Sequence, residues 1–416
     1  MPSLRQLTID VSPLRASRDF RLLWGGELVS QVGSQITLVA LFVQVFALTH
    51  SSAQVGLIGL VQLGPMVLVS LGFGPQIDLR DRRVLLLFAQ TGLMCASALL
   101  LAGALVGNPP LALVYGAAAL NAAFVSISMP TRAAMTPRLV GHDLLAPAAA
   151  LNQVMWNGAA VVGPAIGGVV VATAGLSWAY GIDVATYVAA LAAAFLLHPQ
   201  RPEPVDGEEP ERGIAAILTG LRFLRGKPVL QSTFTVDIVA MVFGMPRVLF
   251  PVLAVQQFHR GAEAVGWLFS AVAFGGVLGG LSSGWVGGVR RQGFAILVAV
   301  ALWGGAITAF GLVGDRLWIA LVCLAVAGGA DVISAVFRNA VQQLVTPDAL
   351  RGRLSAFNIF VVAGGPRLGD LEGGVVASIF TPTFSVVSGG LLCLTGVACI
   401  AVAVPRFARW RVGDPP

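Results

Sequence analysis

Three ionisable residues stand within one apolar stretch near the C-terminus: Arg367, Asp370 and Glu372, in the segment 354–380. Arg367 and Asp370 lie three apart, so on a helix they share a face and can pair, while Glu372 points elsewhere. Gly364-Gly365-Pro366 just before them predicts a loosened or broken helix with free carbonyls. Other apolar stretches carry single groups of this kind. Glu27, Gln31 and Gln35 follow one another at i+4 steps, with Ser30 and Ser34 beside them, which predicts a polar stripe on one helix face. Asp237 is isolated in 229–256 and corresponds roughly to that stripe. Arg247 follows Pro246 deeper in the same stretch. Asn121 lies in 110–130, Asp331 in 316–337 and Asp183 in 177–197, with Asp331 the deeper of the two aspartates. Such residues suit proton exchange, with Asp237, Asp331, Asp370 and Glu27 as the acids, and Arg247 suits the counter-charge of an anionic solute. They do not suit covalent catalysis. His50, His142, His198 and His259 lie near segment ends or in loops, and no HExxH or CxxC occurs. Cys95, Cys323, Cys393 and Cys399 all fall inside apolar segments and read as packing residues. No catalytic residues, metal or cofactor are expected.

Composition names the solvent around these groups. The chain is 56% hydrophobic and 11% charged, against about 25% charged in soluble domains. Lipid must surround most of it. There an ionisable residue costs about 2.5–3.5 kcal/mol, so each one reads as functional by default. Twelve stretches are long enough to cross a bilayer: 22–48, 55–76, 83–106, 110–130, 147–172 and 177–197, then 229–256, 264–287, 293–313, 316–337, 354–380 and 382–404. They predict an all-α membrane protein of two six-helix bundles, 22–197 and 229–404. Residues 1–21 form an N-terminal segment, 198–228 a Pro- and charge-rich linker with an amphipathic helix at 213–227, and 405–416 a tail. Arg15, Arg18 and Arg21 precede the first stretch, which is too long for a cleaved signal and reads as a retained span. All but four of the Lys and Arg residues (Arg247 and Arg367 within spans, Arg260 and Arg316 in loops of the other side) fall on one side or in its termini. This puts both termini and the linker in the cytoplasm. The net charge of +6 thus follows topology and does not form a nucleic-acid stripe.

A segment is nearly repeated. RAAMTPRLVGHDLLAPAAALN runs from Arg132 to Asn152, and RNAVQQLVTPDALRGRLSAFN from Arg338 to Asn358. The lengths are equal, Leu144 and Ala150 match Leu350 and Ala356, and each copy is expected between two long apolar helices. Duplicated membrane halves point to a transporter.

The loop after the second stretch reads Gly74-Pro75-Gln76-Ile77-Asp78-Leu79-Arg80-Asp81-Arg82-Arg83. It resembles the signature loop of the major facilitator superfamily, with Gly74, Asp78, Arg82 and Arg83 at the matching places. The fifth stretch carries Gly163-Pro164-Ala165-Ile166-Gly167-Gly168, which is similar to the superfamily's exporter motif. Gly163, Gly167 and Gly168 would pack closely and Pro164 would bend the helix. Phe20–Trp24 and Gly364–Asp370 resemble the bacterial secretion-effector branch, the one that includes the enterobactin exporter. The resemblance covers nearly the whole chain and implies the major facilitator fold and export. It also implies an Asp78 loop acting as a cytoplasmic latch. The chain departs from it twice: the counterpart loop at Gly284–Arg291 lacks the aspartate, and the fourth stretch lacks the Arg of many proton-coupled relatives.

The resulting expectation is a monomeric multi-pass exporter of the bacterial inner membrane. It would move a small amphipathic molecule, siderophore-like or drug-like, by alternating access and proton antiport. A facilitator or importer of the same fold is the first alternative. A membrane-embedded enzyme would need a nucleophile–base set at depth. A sensor or scaffold would need a sizeable soluble domain.

Overall fold

The structure is a computed structural model that describes residues 10–201, 221–411 and 414, without the side chains of 73–79, 348–353, 355–356 and 359–360. Most of the linker and the amphipathic stretch at 213–227 lie outside the described residues, as do the side chains of Gly74 and Asp78.

Apolar runs become helices because lipid offers the backbone no partners, so each N–H and C=O must be satisfied within its own segment. A short α1 (Ser12–Ala16) leads into α2 (Arg18–Thr49), α3 (Ser52–Leu79), α4 (Arg82–Val106), α5 (Leu111–Val140), α6 (Leu145–Ala174) and α7 (Leu176–Phe195). The second half contains α8 (Pro228–Phe243), α9 (Phe250–Gln256), α10 (Ala262–Leu281), α11 (Gln292–Leu312), α12 (Leu317–Val345), α13 (Asp348–Ile379), α14 (Pro382–Ala403) and the short α15 (Pro405–Arg409). Among the described residues, eleven spans are long and apolar enough to cross a membrane, with α8 and α9 together forming one of them. The 32-residue α13, which carries the charges at 367–372, completes twelve.

Four expectations are corrected. α5 and α12 run on to Val140 and Val345, beyond the expected ends at 130 and 337, so Arg132 and Arg338 lie inside helices. The first repeated segment is therefore a helix end, a turn at Gly141–Leu144 and a helix start, rather than a loop. The seventh span is interrupted: α8 ends at Phe243, and a 3-10 turn, Pro246–Leu249, precedes α9. The eleventh span is unbroken, since α13 continues through Gly364-Gly365-Pro366. Close packing explains that continuity. A Cβ at Gly369 would meet the carbonyls of Met241 and Val242, and one at Gly365 would stand 3.0 Å from Met241 Cβ. α8 thus braces α13 across the proline, and the break falls in α8 instead.

The chain divides into two compact units, Met1–Leu41 with Gly64–Glu209, and Phe42–Leu63 with Pro210–Pro416. In the first, α4 packs between α5 and α7. Gly26 lies against Ala190 and Ala193, and Gly92 against the Phe124 ring. In the second, α10 and α11 both pack on α12, α11 on α14, and α8 on α13. Gly275 and Gly279 of α10 face Ala325 and Gly329 of α12 at backbone contact. The hairpin 42–63 belongs to this unit. Its Gly56 and Gly59 lie against the α13 backbone at Asp370, Gly374 and Arg367. Small residues supply these approaches because lipid provides no hydrophobic drive between helices.

Candidate functional site

In the first unit the extended α5 brings Arg132 to Glu27 on α2, and the two form an ion pair, each with 11% of its side chain exposed. The Arg132 guanidinium also donates to Ser128 Oγ at 2.6 Å, one turn earlier. The pair lines a cavity of about 170 Å³ together with Phe20, Leu23, Trp24, Met129, Ala133, Thr136, Asn152 and Trp156. Glu27 is thus paired, whereas Gln31 and Gln35 remain half-buried on the same helix. A Cβ at Gly163 would crowd Gln35 Cβ at 2.5 Å.

Deeper in the unit is a hydroxyl network. Tyr187 meets Ser34 Oγ at 2.8 Å and also bonds Asn121. Asp183 is fully buried and accepts from Thr37 Oγ1 at 2.7 Å and Ser97 Oγ at 2.6 Å. These bonds tie α2, α4 and α7 together.

In the second unit Arg338 of α12 repeats the motif. Its Nη2 lies 2.8 Å from Asp237 Oδ1 on α8 and 3.8 Å from Asp331 Oδ1 on its own helix, and its Nη1 donates to Ser334 Oγ at 2.8 Å. Counted from the repeated arginines, Asp237 matches Gln31, one helical turn past Glu27. The copies also differ in the number of acids. Arg132 has one carboxylate and Arg338 has two, because Val125 stands where Asp331 has its counterpart. Asp237 and Arg338 are 4% and 6% exposed, Asp331 27%.

The expected Arg367–Asp370 pairing is also corrected. Arg247, presented by the 3-10 turn after the α8 break, holds Asp370 through two parallel bonds, Nε to Oδ1 at 2.8 Å and Nη2 to Oδ2 at 2.6 Å. Such a fork is geometrically specific and strong. Arg247 is therefore committed to a protein carboxylate. Arg367 instead donates to the Ala363 carbonyl at 2.5 Å, one turn back on its own helix. Glu372 is half-buried, with no ion pair among the described residues.

At the loop after α3 the described carboxylate that caps a helix is Asp81. It accepts from Arg83 N at 2.9 Å, at the start of α4, and from Gln200 N at 3.0 Å. Arg82 donates to the Ala134 carbonyl and Arg83 to that of Phe195, over whose ring its guanidinium sits. These bonds fasten the α4 start to α5 and the α7 end. In α6 the helix is continuous through Pro164. Gly163 lies against Val32 and Gln35, and Gly167 against Ile36, of α2. Gly168 is buried.

A family model described as transmembrane secretion effector matches residues 8–411. The chain belongs to that family. The secretion effectors are major facilitators, and this one is a membrane transporter in a family of transporters rather than enzymes. Over 410 residues it is 29% identical to the enterobactin exporter EntS of Shigella boydii serotype 18, covering 98% of this chain and 97% of the relative. EntS of Escherichia coli O127:H6 matches with the same figures. Two solved structures share the fold. One is a bacterial homologue of the iron transporter ferroportin in an inward-facing state, with TM-score 0.71 and 14% identity over 94% of this chain and 98% of that one. The other is a POT family transporter in complex with a thioalcohol conjugated peptide, with TM-score 0.74 and 11% identity over 94% and 96%.

Arg132 and Arg338, which hold the carboxylates of the candidate site, are not singled out as partners by the sequence alone. The signal was present, since both head the repeated segment. It is hidden because Pro130 closes the apolar stretch before Arg132, and the tenth apolar stretch stops at 337, one residue short of Arg338.

Proposed function

We propose that this chain exports a small amphipathic molecule, siderophore-like or drug-like, across the bacterial inner membrane, by alternating access and in exchange for protons. The observation that supports proton exchange is the Arg338 cluster: two carboxylates, Asp237 and Asp331, share one guanidinium. Both acids ionised leave a surplus negative charge at membrane depth, and one bound proton balances it. Glu27 and Asp370 carry no such surplus, because each has its own arginine. Asp331, the more exposed and more distant acid, is the one we assign the exchanging proton. Asp237 would hold Arg338 while that proton moves. Export, as opposed to import, is supported by the family and by relatives named as enterobactin exporters. The cytoplasmic placement of both termini, a latch role for Asp78 and a monomeric state belong to the same proposal.

The test is efflux in everted vesicles holding the full chain, with enterobactin and the amphipathic dye ethidium as trial solutes. An imposed proton gradient should accelerate transport in the wild type, an uncoupler should abolish that acceleration, and Asp331→Asn should remove the response to the gradient. Equilibrative movement indifferent to the uncoupler would replace this reading with a facilitator.

A further inference from the structure

We infer that the groove between the α9–α10 and α11–α12 loops binds the headgroup of an anionic phospholipid through its phosphodiester. An exception to the charge pattern marks the place. The loops on the membrane face opposite the termini carry two Lys or Arg residues in the whole sequence, Arg260 and Arg316. They belong to different loops, yet both line one cavity of about 570 Å³, within the size of small-ligand sites, about 300–1,000 Å³. The two loops are tied here. Gln257 Nε2 donates to the Gly314 carbonyl at 2.7 Å, and Arg260 N donates to the Ala254 carbonyl at 2.8 Å.

The ligand is specified by what lines the groove and in what order. Arg260 and Arg316 are exposed, and neither guanidinium has an ion pair or hydrogen bond among the described residues. One carboxylate, Asp315, lines the groove with them. Two cations against one anion leave a place for a single negative charge, and guanidinium meets phosphate oxygens as a two-pronged fork. A zwitterionic headgroup would instead bring a further cation. Arg260 precedes α10 and Arg316 precedes α12. Trp267 and Trp318, 39% and 69% exposed, follow within the first two turns of those helices, and Leu321 lies about one turn beyond Trp318. Tryptophan at helix ends sits at the headgroup level of a bilayer. The order guanidinium, indole, aliphatic side chain is that of a phospholipid read from phosphate to acyl chain. A soluble anion would use the arginines and leave the indoles without a role. The inference is independent of the transport reading, because none of the paired acids and arginines described above lines this groove.

The test is native mass spectrometry of the full chain in detergent, titrated with dioleoyl phosphatidylglycerol, dioleoyl phosphatidylethanolamine and glycerol 3-phosphate. The wild type should hold one phosphatidylglycerol more tightly than phosphatidylethanolamine. Arg260→Gln and Arg316→Gln should each weaken phosphatidylglycerol about fivefold, the worth of one arginine toward an anionic lipid, and the double variant about twenty-fivefold. The double variant to lysine keeps both charges and should keep the preference for phosphatidylglycerol. Arg406→Gln, on the face of the termini, should leave the affinity unchanged. All variants are compared as monodisperse protein with the wild-type thermal midpoint. Glycerol 3-phosphate has the phosphate without acyl chains and should not displace the lipid. Equal affinity for the two lipids, or an undiminished affinity in the double glutamine variant, would overturn the inference. Displacement by glycerol 3-phosphate would also overturn it and give the groove to a soluble anion.

Discussion

At the residue scale the molecule sorts its arginines by what they face. Arg247 is fully committed to Asp370, Arg132 to Glu27, and Arg338 is divided between Asp237 and Asp331. Breaking a buried pair by removing one partner costs about 3–5 kcal/mol, because a charge is left uncompensated. Asp370→Ala should therefore lower stability by about that amount, read as the thermal unfolding midpoint in detergent, and Arg247→Met with Asp370→Leu should recover most of it. A functional role restricted to packing would let that double variant transport normally. In the first unit, Glu27→Arg and Arg132→Glu should each impair efflux, and the double reversal should restore part of it. Failure of the reversed pair to rescue, in protein of normal abundance, would mean the direction of the pair matters beyond its charge balance.

The ionisable residues at 237, 331, 367 and 370 stand out in the sequence because a charge in an apolar run is expensive wherever it points. Their partners were not legible. On sequence, local spacing pairs Asp370 with Arg367 and leaves Arg247 as the counter-charge of an anionic solute. The structure selects Arg247 because the Pro246 turn breaks α8 and carries that guanidinium to α13.

At the element scale, glycine decides which helices touch. Gly275 and Gly328 lie where a Cβ would overlap the carbonyls of Ala325 and Val272, so α10 and α12 meet at backbone contact. Gly275→Ala should destabilise by about 1–3 kcal/mol through overpacking. Gly305→Ala in α11, where a Cβ meets nothing within 4 Å, should be neutral or stabilising. Chemical unfolding of both variants side by side measures this, and equal stabilities would refute the contact. The twelve apolar stretches were readable because a span must be about 20 residues long. Their ends were not, since α5 and α12 continue into polar sequence that includes Arg132 and Arg338. Continuity of α13 across Gly-Gly-Pro was also misread from sequence, because the bracing contacts come from Met241 and Val242, far away along the chain.

At the scale of the whole molecule, the two halves each carry an acid–arginine pair, and the second copy holds a further acid. That asymmetry is the ground on which we assign proton exchange to the Arg338 cluster. The measurement that tests it most directly is proton movement itself, followed with a trapped pH dye in proteoliposomes while solute moves down its own gradient. Wild-type chain should move protons opposite to the solute. Asp331→Asn should still carry solute and move no protons with it. Proton movement unchanged in that variant, or none in the wild type during transport, would contradict the account.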